Sequence, residues 1–310
     1  MMPVTGPRRG PFRPAVPGSC PRADRLATDH PEERTAMPRT PRPRRRRAAG
    51  LALATVAALV TAACGRDSLV VGVSYDRPGL GLRVLRDQSG FESELARDLA
   101  ARLGYPGKKD VNLSNVPEPR ATPTNGAVPY DLLVAAYPTG TTPPAGVRLV
   151  GPYLRGGQDI AVRAGEQGQV TPRSLAGRRV CLVDGTHLAR AAATTFPGAK
   201  LALRRTLSTC LTELRQGTVD AVSDEGLALR GYASEAPFRG SIRVVGADMG
   251  TIDYYVRVTD EDAALCGRVK TALEESIKDG SWARLYADQL VKTGVVGSVP
   301  APPSPVTGCS

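Results

Sequence analysis

The chain has 310 residues, of which 41% are hydrophobic and 23% are charged, and its formal net charge is +11. Residues 1–64 contain 12 arginines and 4 acidic residues, whereas the remaining 246 residues hold 29 basic and 26 acidic side chains. The basic character therefore belongs mainly to the first 64 residues, and it gives no reason to expect nucleic-acid binding. A chain of 246 residues is long enough for two lobes, each with its own hydrophobic core.

Residues 44–64 read RRRRAAGLALATVAALVTAAC, with arginines before an apolar run and small residues before a cysteine. This order is typical of a secretory signal, and its 13-residue apolar run is shorter than the roughly 20 residues of a membrane-spanning helix. We predict that 37–64 is a lipoprotein signal peptide and that lipid on Cys64 anchors the protein to the extracellular face of the cell membrane. Because Thr61 stands where such signals usually carry Leu, the alternative is an ordinary cleaved signal that leaves Cys64 as a free thiol.

The segment 1–36 is rich in Pro, Arg and Gly, and it lacks an apolar period. Met37 lies a normal distance before the apolar run, so we expect it to be the true start, with 1–36 not translated. The alternative is a disordered basic extension. Arg46 and Arg47 also leave a twin-arginine export route open.

Strand-like and helix-like segments alternate beyond the leader, which predicts an α/β fold. The helix predicted at Phe91–Leu103 places apolar residues four apart on one stripe and is followed by Gly104. PGLGL at 78–82 is read as a turn, and the Pro-rich tail at 293–310 is predicted to lack regular structure. Strands are predicted at 69–74, 111–116, 132–137, 158–163, 180–183, 201–203, 219–222, 242–246 and 252–258, and further helices at 186–195, 208–216, 226–233 and twice within 260–290.

Four cysteines follow Cys64, an even number without CxxC spacing. In an exported protein they favour disulfides over a metal site, since His187 is the only other soft ligand beyond the leader. A Cys181–Cys210 bond would close a loop of about 30 residues, and a Cys266–Cys309 bond would pin the tail. Four separate buried thiols remain the alternative.

Eight segments in order carry a family resemblance: YDRPGLGL, GFESELARDLAARLG, YDLLVAAY, GPYLRGGQDIAVR, LAGRRVCLVDGT, TCLTELRQGTVDAVSDE, LRGYAS and KDGSWARLY. Between about Leu69 and Leu290 the chain resembles the family 3 extracellular solute-binding proteins, the polar amino-acid receptors of ABC importers. Within that family it is most similar to actinobacterial glutamate- or glutamine-binding lipoproteins.

The resemblance implies an α/β, two-lobe, periplasmic-binding-protein-like (type II) fold with two crossover segments. Lobe 1 would comprise 65–160 and 249–292, and lobe 2 would comprise 161–248. The lobes would close over a ligand by hinging near Gln158 and Thr251. The pair Cys181 and Cys210 also falls where the lipoprotein subgroup carries a disulfide.

The resemblance further implies an arginine that binds the ligand's carboxylate, yet Pro143 stands at that position. Losing a bidentate Arg contact weakens a complex substantially, by roughly 2 to 5 kcal/mol. Arg120, Arg77 or Arg83 could supply the missing charge. The alternative is that these are solvated surface arginines.

Six other positions are candidates for ligand contact. Tyr75 is predicted to form an aromatic wall or to pack at the hinge, and Tyr137 ends the strand that precedes the altered carboxylate position. At the second lobe's turn, His187 follows Thr186 and could accept an anion if protonated; otherwise it caps the helix or faces solvent. Glu225 stands where the family usually has an ammonium-binding Asp, with Asp224 beside it. Without the resemblance, Asp224 and Glu225 would be expected on a surface turn between a strand and a helix, with their side chains pointing in different directions.

We expect a lipid-anchored, monomeric, non-enzymatic receptor that presents an amino-acid-like solute such as glutamate or glutamine to an ABC permease and ATPase. A sensory or interaction lipoprotein that keeps the fold without transport is the alternative, and a dehydratase or lytic enzyme is a third. The sequence has no GxSxG, GxxxxGK[ST] or HExxH motif, so no cofactor or metal is expected.

Overall fold

The computed structural model of the protein describes residues 68–116, 130–138, 146–247, 249–259 and 263–309. Cys64, Arg120 and Pro143 lie outside these ranges, as does the predicted signal peptide. Within them, no helix combines the length and the apolar character that a membrane span requires.

Strands and helices alternate along the described chain. The strands are β1 (Leu69–Val73), β2 (Asp76–Arg77), β3 (Gly81–Val84), β4 (Asp87–Ser89), β5 (Val111–Asn115), β6 (Leu132–Pro138), β7 (Val147–Arg163), β8 (Arg179–Val183), β9 (Lys200–Arg204), β10 (Ala221–Glu225), β11 (Ile242–Val244) and β12 (Thr251–Thr259). The helices are α1 (Phe91–Arg102), α2 (His187–Thr195), α3 (Leu207–Gln216), α4 (Gly226–Ser234), α5 (Ala263–Lys278) and α6 (Ser281–Tyr286), and a π-helical turn follows at Ala287–Val291.

The long strand β7 belongs to two groups of strands. Its residues 147–157 pair with β12 in the order β5-β1-β6-β12-β7, which we call the first lobe. Residues 158–163 pair with β10 and β11, and β10 continues to β8 and β9, which we call the second lobe. Strand β1 is parallel to β5 and β6, and β8 is parallel to β9 and β10. The α/β two-lobe architecture is therefore confirmed, and the numbered lobe boundaries stay predictions.

Two chain segments run side by side between the lobes. The backbone amide of Met249 donates to the Gln158 carbonyl at 2.9 Å, and that of Val245 donates to the Ile160 carbonyl at 2.9 Å. The buried Asp159 carboxylate accepts from the amides of Ile160 and Ala247, each at 2.8 Å. These bonds hold the segment between β11 and β12 against β7, at the residues where β7 changes its pairing from β12 to β10.

The first lobe's core forms around the apolar stripe of α1. Phe91, Leu95 and Leu99 have no exposed surface, as expected for side chains at helical spacing that face a sheet. The Phe91 ring meets Trp282 edge-on, with ring centroids 5.9 Å apart, and the buried Trp282 Nε1 donates to the Tyr153 carbonyl at 2.7 Å. The final helices thus complete the first lobe's core.

Two sequence predictions need correction. The PGLGL segment is not only a turn, because Gly81 begins β3 in a small antiparallel sheet of β2, β3 and β4. The strand predicted at 219–222 lies at 221–225, and its last three residues are Ser-Asp-Glu. The extended segment predicted at 158–163 is confirmed as the end of the 17-residue β7, which passes from one lobe to the other. Backbone pairing with Ile160, Asp159 and Gln158 extends β10 through its last three residues, where no apolar pattern marks a strand.

Both predicted disulfides are present. Cys181 in β8 is bonded to Cys210 in α3, and Cys266 in α5 is bonded to Cys309 in the tail. The tail also pairs with β7, since the amides and carbonyls of Gly151 and Thr307 exchange hydrogen bonds of 3.0 and 2.6 Å. This isolated bridge holds the tail along the first lobe, and residues 293–309 contain no helix or strand, as predicted.

Candidate functional site

The carboxyl ends of parallel strands from both lobes meet where the two lobes adjoin, a place that we call the junction. Tyr75 and Arg77 follow β1, His187 follows β8, and Asp224 and Glu225 end β10. In open α/β sheets, ligands bind at the carboxyl ends of the strands because loops and helix N-termini converge there. This junction is the candidate functional site.

Arg77 forms a buried ion pair between the lobes. Its Nη1 donates to Asp224 Oδ1 at 2.9 Å and to Glu225 Oε2 at 3.0 Å, and all three side chains are at most 4% exposed. The prediction that Asp224 and Glu225 would point apart on the surface is wrong. The Glu225 amide donates to Asp224 Oδ1 at 2.7 Å, which turns the Asp224 side chain back so that both carboxylates meet one guanidinium.

The ion pair lies in a wider buried acidic cluster. Tyr254 donates its hydroxyl to Glu225 Oε2 at 3.1 Å, and Tyr153 donates to Glu92 Oε1 at 2.9 Å. Burial raises the pKa of Glu225 to about 7; Arg77 opposes that rise, whereas Asp224 and Glu92 add to it. Three carboxyl groups therefore share this interior with the Arg77 guanidinium, and the cluster favours an added proton or cation.

Thr186 and His187 begin α2 at the same junction. The buried Thr186 hydroxyl accepts from the Ala189 amide at 3.0 Å and donates to the Val183 carbonyl at 2.8 Å, so Thr186 caps the helix. Burial lowers the pKa of His187 to about 4, although the Asp224 charge acts in the opposite direction. His187 is therefore neutral at pH 7. Thus it is neither a protonated anion acceptor nor the cap.

The other predicted contact residues are Tyr75, Arg83, Tyr137 and Arg120, of which Arg120 lies outside the described residues. Tyr75 lines a recess of about 10 Å³ together with Asp76, Val116, Arg205 and Thr206. Arg83 is exposed on β3, where its Nε donates to the Leu85 carbonyl at 3.1 Å. The Tyr137 backbone pairs with Asp253 in β12. Ligand contact by Tyr75, Tyr137 and Arg120 stays a prediction, as it does for the five predicted contact residues at the junction.

The segment that carries Arg77 is docked onto the second lobe by contacts that the sequence analysis missed. Tyr232 donates its hydroxyl to Asp76 Oδ1 at 2.6 Å, and the Ser208 amide donates to Asp76 Oδ2 at 3.0 Å. Helix α4 approaches so closely that a Cβ at Gly231 would overlap the Pro78 carbonyl. A glycine inside a predicted helix was the available signal for such an approach.

Metal chemistry has no support in the described part of the chain, where no group of three or more His, Cys, Asp or Glu side chains could hold an ion.

The fold is that of the type II periplasmic binding proteins. A solved ancestral arginine-binding protein bound to glutamine superimposes with a TM-score of 0.63 and 24% identity, covering 73% of this chain and 98% of that one. The solute receptor for L-cysteine of Neisseria gonorrhoeae gives a TM-score of 0.61 at 20% identity, over 73% and 91% of the two chains.

Sequence comparison then places the chain within a family. Residues 69–290 match the bacterial extracellular solute-binding proteins, family 3, and the chain belongs to that family. It is 30% identical over 275 residues to the glutamate-binding protein GluB of Corynebacterium efficiens, covering 79% of this chain and 90% of that protein. It is also 30% identical over 250 residues to GluB of Corynebacterium glutamicum, over 76% and 82% of the two chains. The family resemblance predicted from the sequence is therefore confirmed.

Glu225 should make stability depend on pH. Its pKa is raised from 4.5 to about 7, so between these values the folded protein holds a proton that the unfolded chain releases. Stability from this group is full below pH 4.5 and is lost as pH rises to 7, by about 3 kcal/mol in all. The lowered pKa of His187 acts oppositely between about pH 4 and 6.5, so the wild-type curve alone conceals the effect.

The measurement is the free energy of unfolding of wild type and Glu225→Gln from pH 4 to 8. The amide keeps an oxygen that can accept from Arg77 and Tyr254 but cannot ionise. The wild-type value minus the variant value should fall across pH 4.5–7. A flat difference would show that Glu225 titrates normally.

Gly231→Ala should lower the free energy of unfolding, because it forces α4 away from the segment that carries Arg77. The new methyl group overlaps the Pro78 carbonyl, and overpacking of this kind costs about 1–3 kcal/mol. Gly267 in α5 is the matched control, since a Cβ there meets nothing within 4 Å. Gly267→Ala should stabilise by about 0.5–1 kcal/mol through helix propensity. Chemical denaturation measures both variants, and equal responses would refute the close approach.

Proposed function

We propose that the protein is an extracellular receptor for a small amino acid such as glutamate, glutamine or a close relative, which it delivers to an ABC permease and its ATPase. Family membership across 69–290 carries this proposal, supported by glutamate-binding relatives aligned over most of their length. The junction supplies the place for a ligand, because residues of both lobes meet there at strand ends. The receptor acts as a monomer without cofactor or catalysis.

The mechanism is closure of the two lobes about the paired segments near Gln158 in β7 and near Thr251. A ligand that contacts both lobes binds the closed form better than the open form, and this differential affinity shifts the population toward closure. The permease would then distinguish the closed shape from the open one. The hydrogen bonds at Gln158 and Ile160 keep the two crossing segments in register while their dihedral angles change.

A sensory or interaction lipoprotein is the second candidate. It is favoured by Pro143 at the position where the family carries its carboxylate-binding arginine, and by the buried pairing of Arg77 with both carboxylates of β10. Both features weaken recognition of a free zwitterion. Such a protein would close on a different solute and signal through a partner.

A ligand screen tests the receptor function. The secreted domain, residues 65–310, is mixed with each of the common amino acids, and its unfolding temperature is compared with that in buffer. A ligand at 100 times its Kd should add about 2.7 kcal/mol of stability. We expect a shift with glutamate, glutamine or a related amino acid, confirmed by calorimetric titration. No shift with any amino acid would remove free amino acids and leave the sensory candidate.

Anchoring through Cys64 is part of the proposal. Leu69 begins β1 five residues after Cys64, so the lipid would hold the first lobe within about 18 Å of the membrane. Wild type should fractionate with membranes and leave them in detergent, whereas Cys64→Ser should appear in the medium. Thr61→Leu is the control and should stay membrane-bound. Membrane retention of the Cys64→Ser protein would exclude the lipid anchor.

A further inference from the structure

The Arg77 guanidinium occupies the junction in the way that a bound cation would. Its Nη1 lies 2.9 Å from Asp224 Oδ1 and 3.0 Å from Glu225 Oε2, both within hydrogen-bond range. Arg77 comes from β2, whereas both acids end β10, 147 and 148 residues later. The pair therefore joins the lobes through one side chain that reaches across.

The carboxylates need a cation whenever they are ionised. Asp224 and Glu225 are 2% and 3% exposed, and the 1%-exposed Glu92 adds a third negative group that acts on Glu225. Removing one partner from a buried ion pair leaves an uncompensated charge, which is strongly unfavourable. If Arg77 leaves, another cation must take its place or a proton must bind.

Arg77 also occupies the carboxylate oxygens that a solute's cationic group would contact. The neighbouring recess lined by Tyr75, Asp76 and Arg205 holds about 10 Å³, no more than one water molecule requires. Contacts of Asp76 with Tyr232 and Ser208, and of Pro78 with Gly231, hold the segment that carries Arg77 against α3 and α4. A cationic group can contact Asp224 Oδ1 and Glu225 Oε2 in place of Arg77 only if the guanidinium moves aside.

We propose that Arg77 is an internal occupant of the site: its guanidinium holds the carboxylates of Asp224 and Glu225, where the family resemblance places the ligand's ammonium group, and the solute must displace it. Displacement by a solute rests on the proposed receptor function, whereas the binding of a cation by Asp224 and Glu225 does not. The internal occupant weakens apparent affinity, because only the fraction of molecules with Arg77 withdrawn can bind.

Chemical rescue tests the cation-binding position without knowledge of the solute. Arg77→Ala removes the atoms of an ethylguanidinium ion, so millimolar ethylguanidinium should raise the variant's unfolding temperature. Ethylurea has nearly the same shape without the charge and should not. Wild type and Arg86→Ala, which alters an exposed arginine of the same small sheet, should not respond to either compound. Equal effects of ethylguanidinium and ethylurea on Arg77→Ala would overturn the proposal.

The affinity for a solute gives the second readout. It is measured on Arg77→Gln, so that the result does not depend on whether Arg77→Ala folds. An amino acid found in the screen should bind Arg77→Gln at least tenfold more tightly than wild type, whereas Arg77→Lys and Arg86→Gln should bind as wild type does. Weaker binding by Arg77→Gln would show that Arg77 contacts the solute, which overturns this inference and leaves the receptor function intact. Rescue by ethylguanidinium without amino-acid binding by any variant would support the cation position and count against the receptor function.

Discussion

The buried pairing of Arg77 with Asp224 and Glu225 is the interaction that joins strand ends of the two lobes, and the rest of the site depends on it. An arginine fork taken out of water needs acceptors at short range, and the end of β10 provides two of them. Without the guanidinium, an ionised carboxylate at this depth would be an uncompensated buried charge, and burial raises the pKa of Glu225 even with Arg77 beside it. The pairing thus explains why the segment after β1 lies against the second lobe.

Strand β7 gives this pairing its geometry. One continuous strand contributes to the sheets of both lobes, so the distance between the ends of β1 and β10 is set by 17 residues of extended backbone. The buried side chains of Gln158 and Asp159 sit where the strand changes partners, and Gln158 donates to the Ser223 hydroxyl at 2.9 Å. A small rotation at this point changes the separation of the facing strand ends much more than it changes either core.

The sequence was sufficient for elements with strong local patterns. Helix α1 follows from its apolar stripe, and the helix predicted at 208–216 is confirmed as α3, which ends at the left-handed Gly217. The site was only partly predictable, because its chemistry comes from residues that are distant in sequence. Arg77 in a turn and Asp224 at a strand end look like surface charges until the other lobe buries them. Glu92 in a first helical turn likewise resembles an ordinary acid that interacts favourably with the helix dipole.

The pairing of Thr307 with Gly151 has a consequence for the protein outside the cell. Residues 147–157 of β7 have β12 on one side and would otherwise present open backbone groups on the other, a template for sheet extension between molecules. The proline-rich tail covers part of that margin, and the Cys266–Cys309 bond prevents it from peeling away. Pro305, two residues before Thr307, has no backbone N–H to donate, so it interrupts any further ladder of hydrogen bonds on the outer side of the tail. The pairing thereby leaves less unpaired backbone at this margin from which another molecule could extend the sheet.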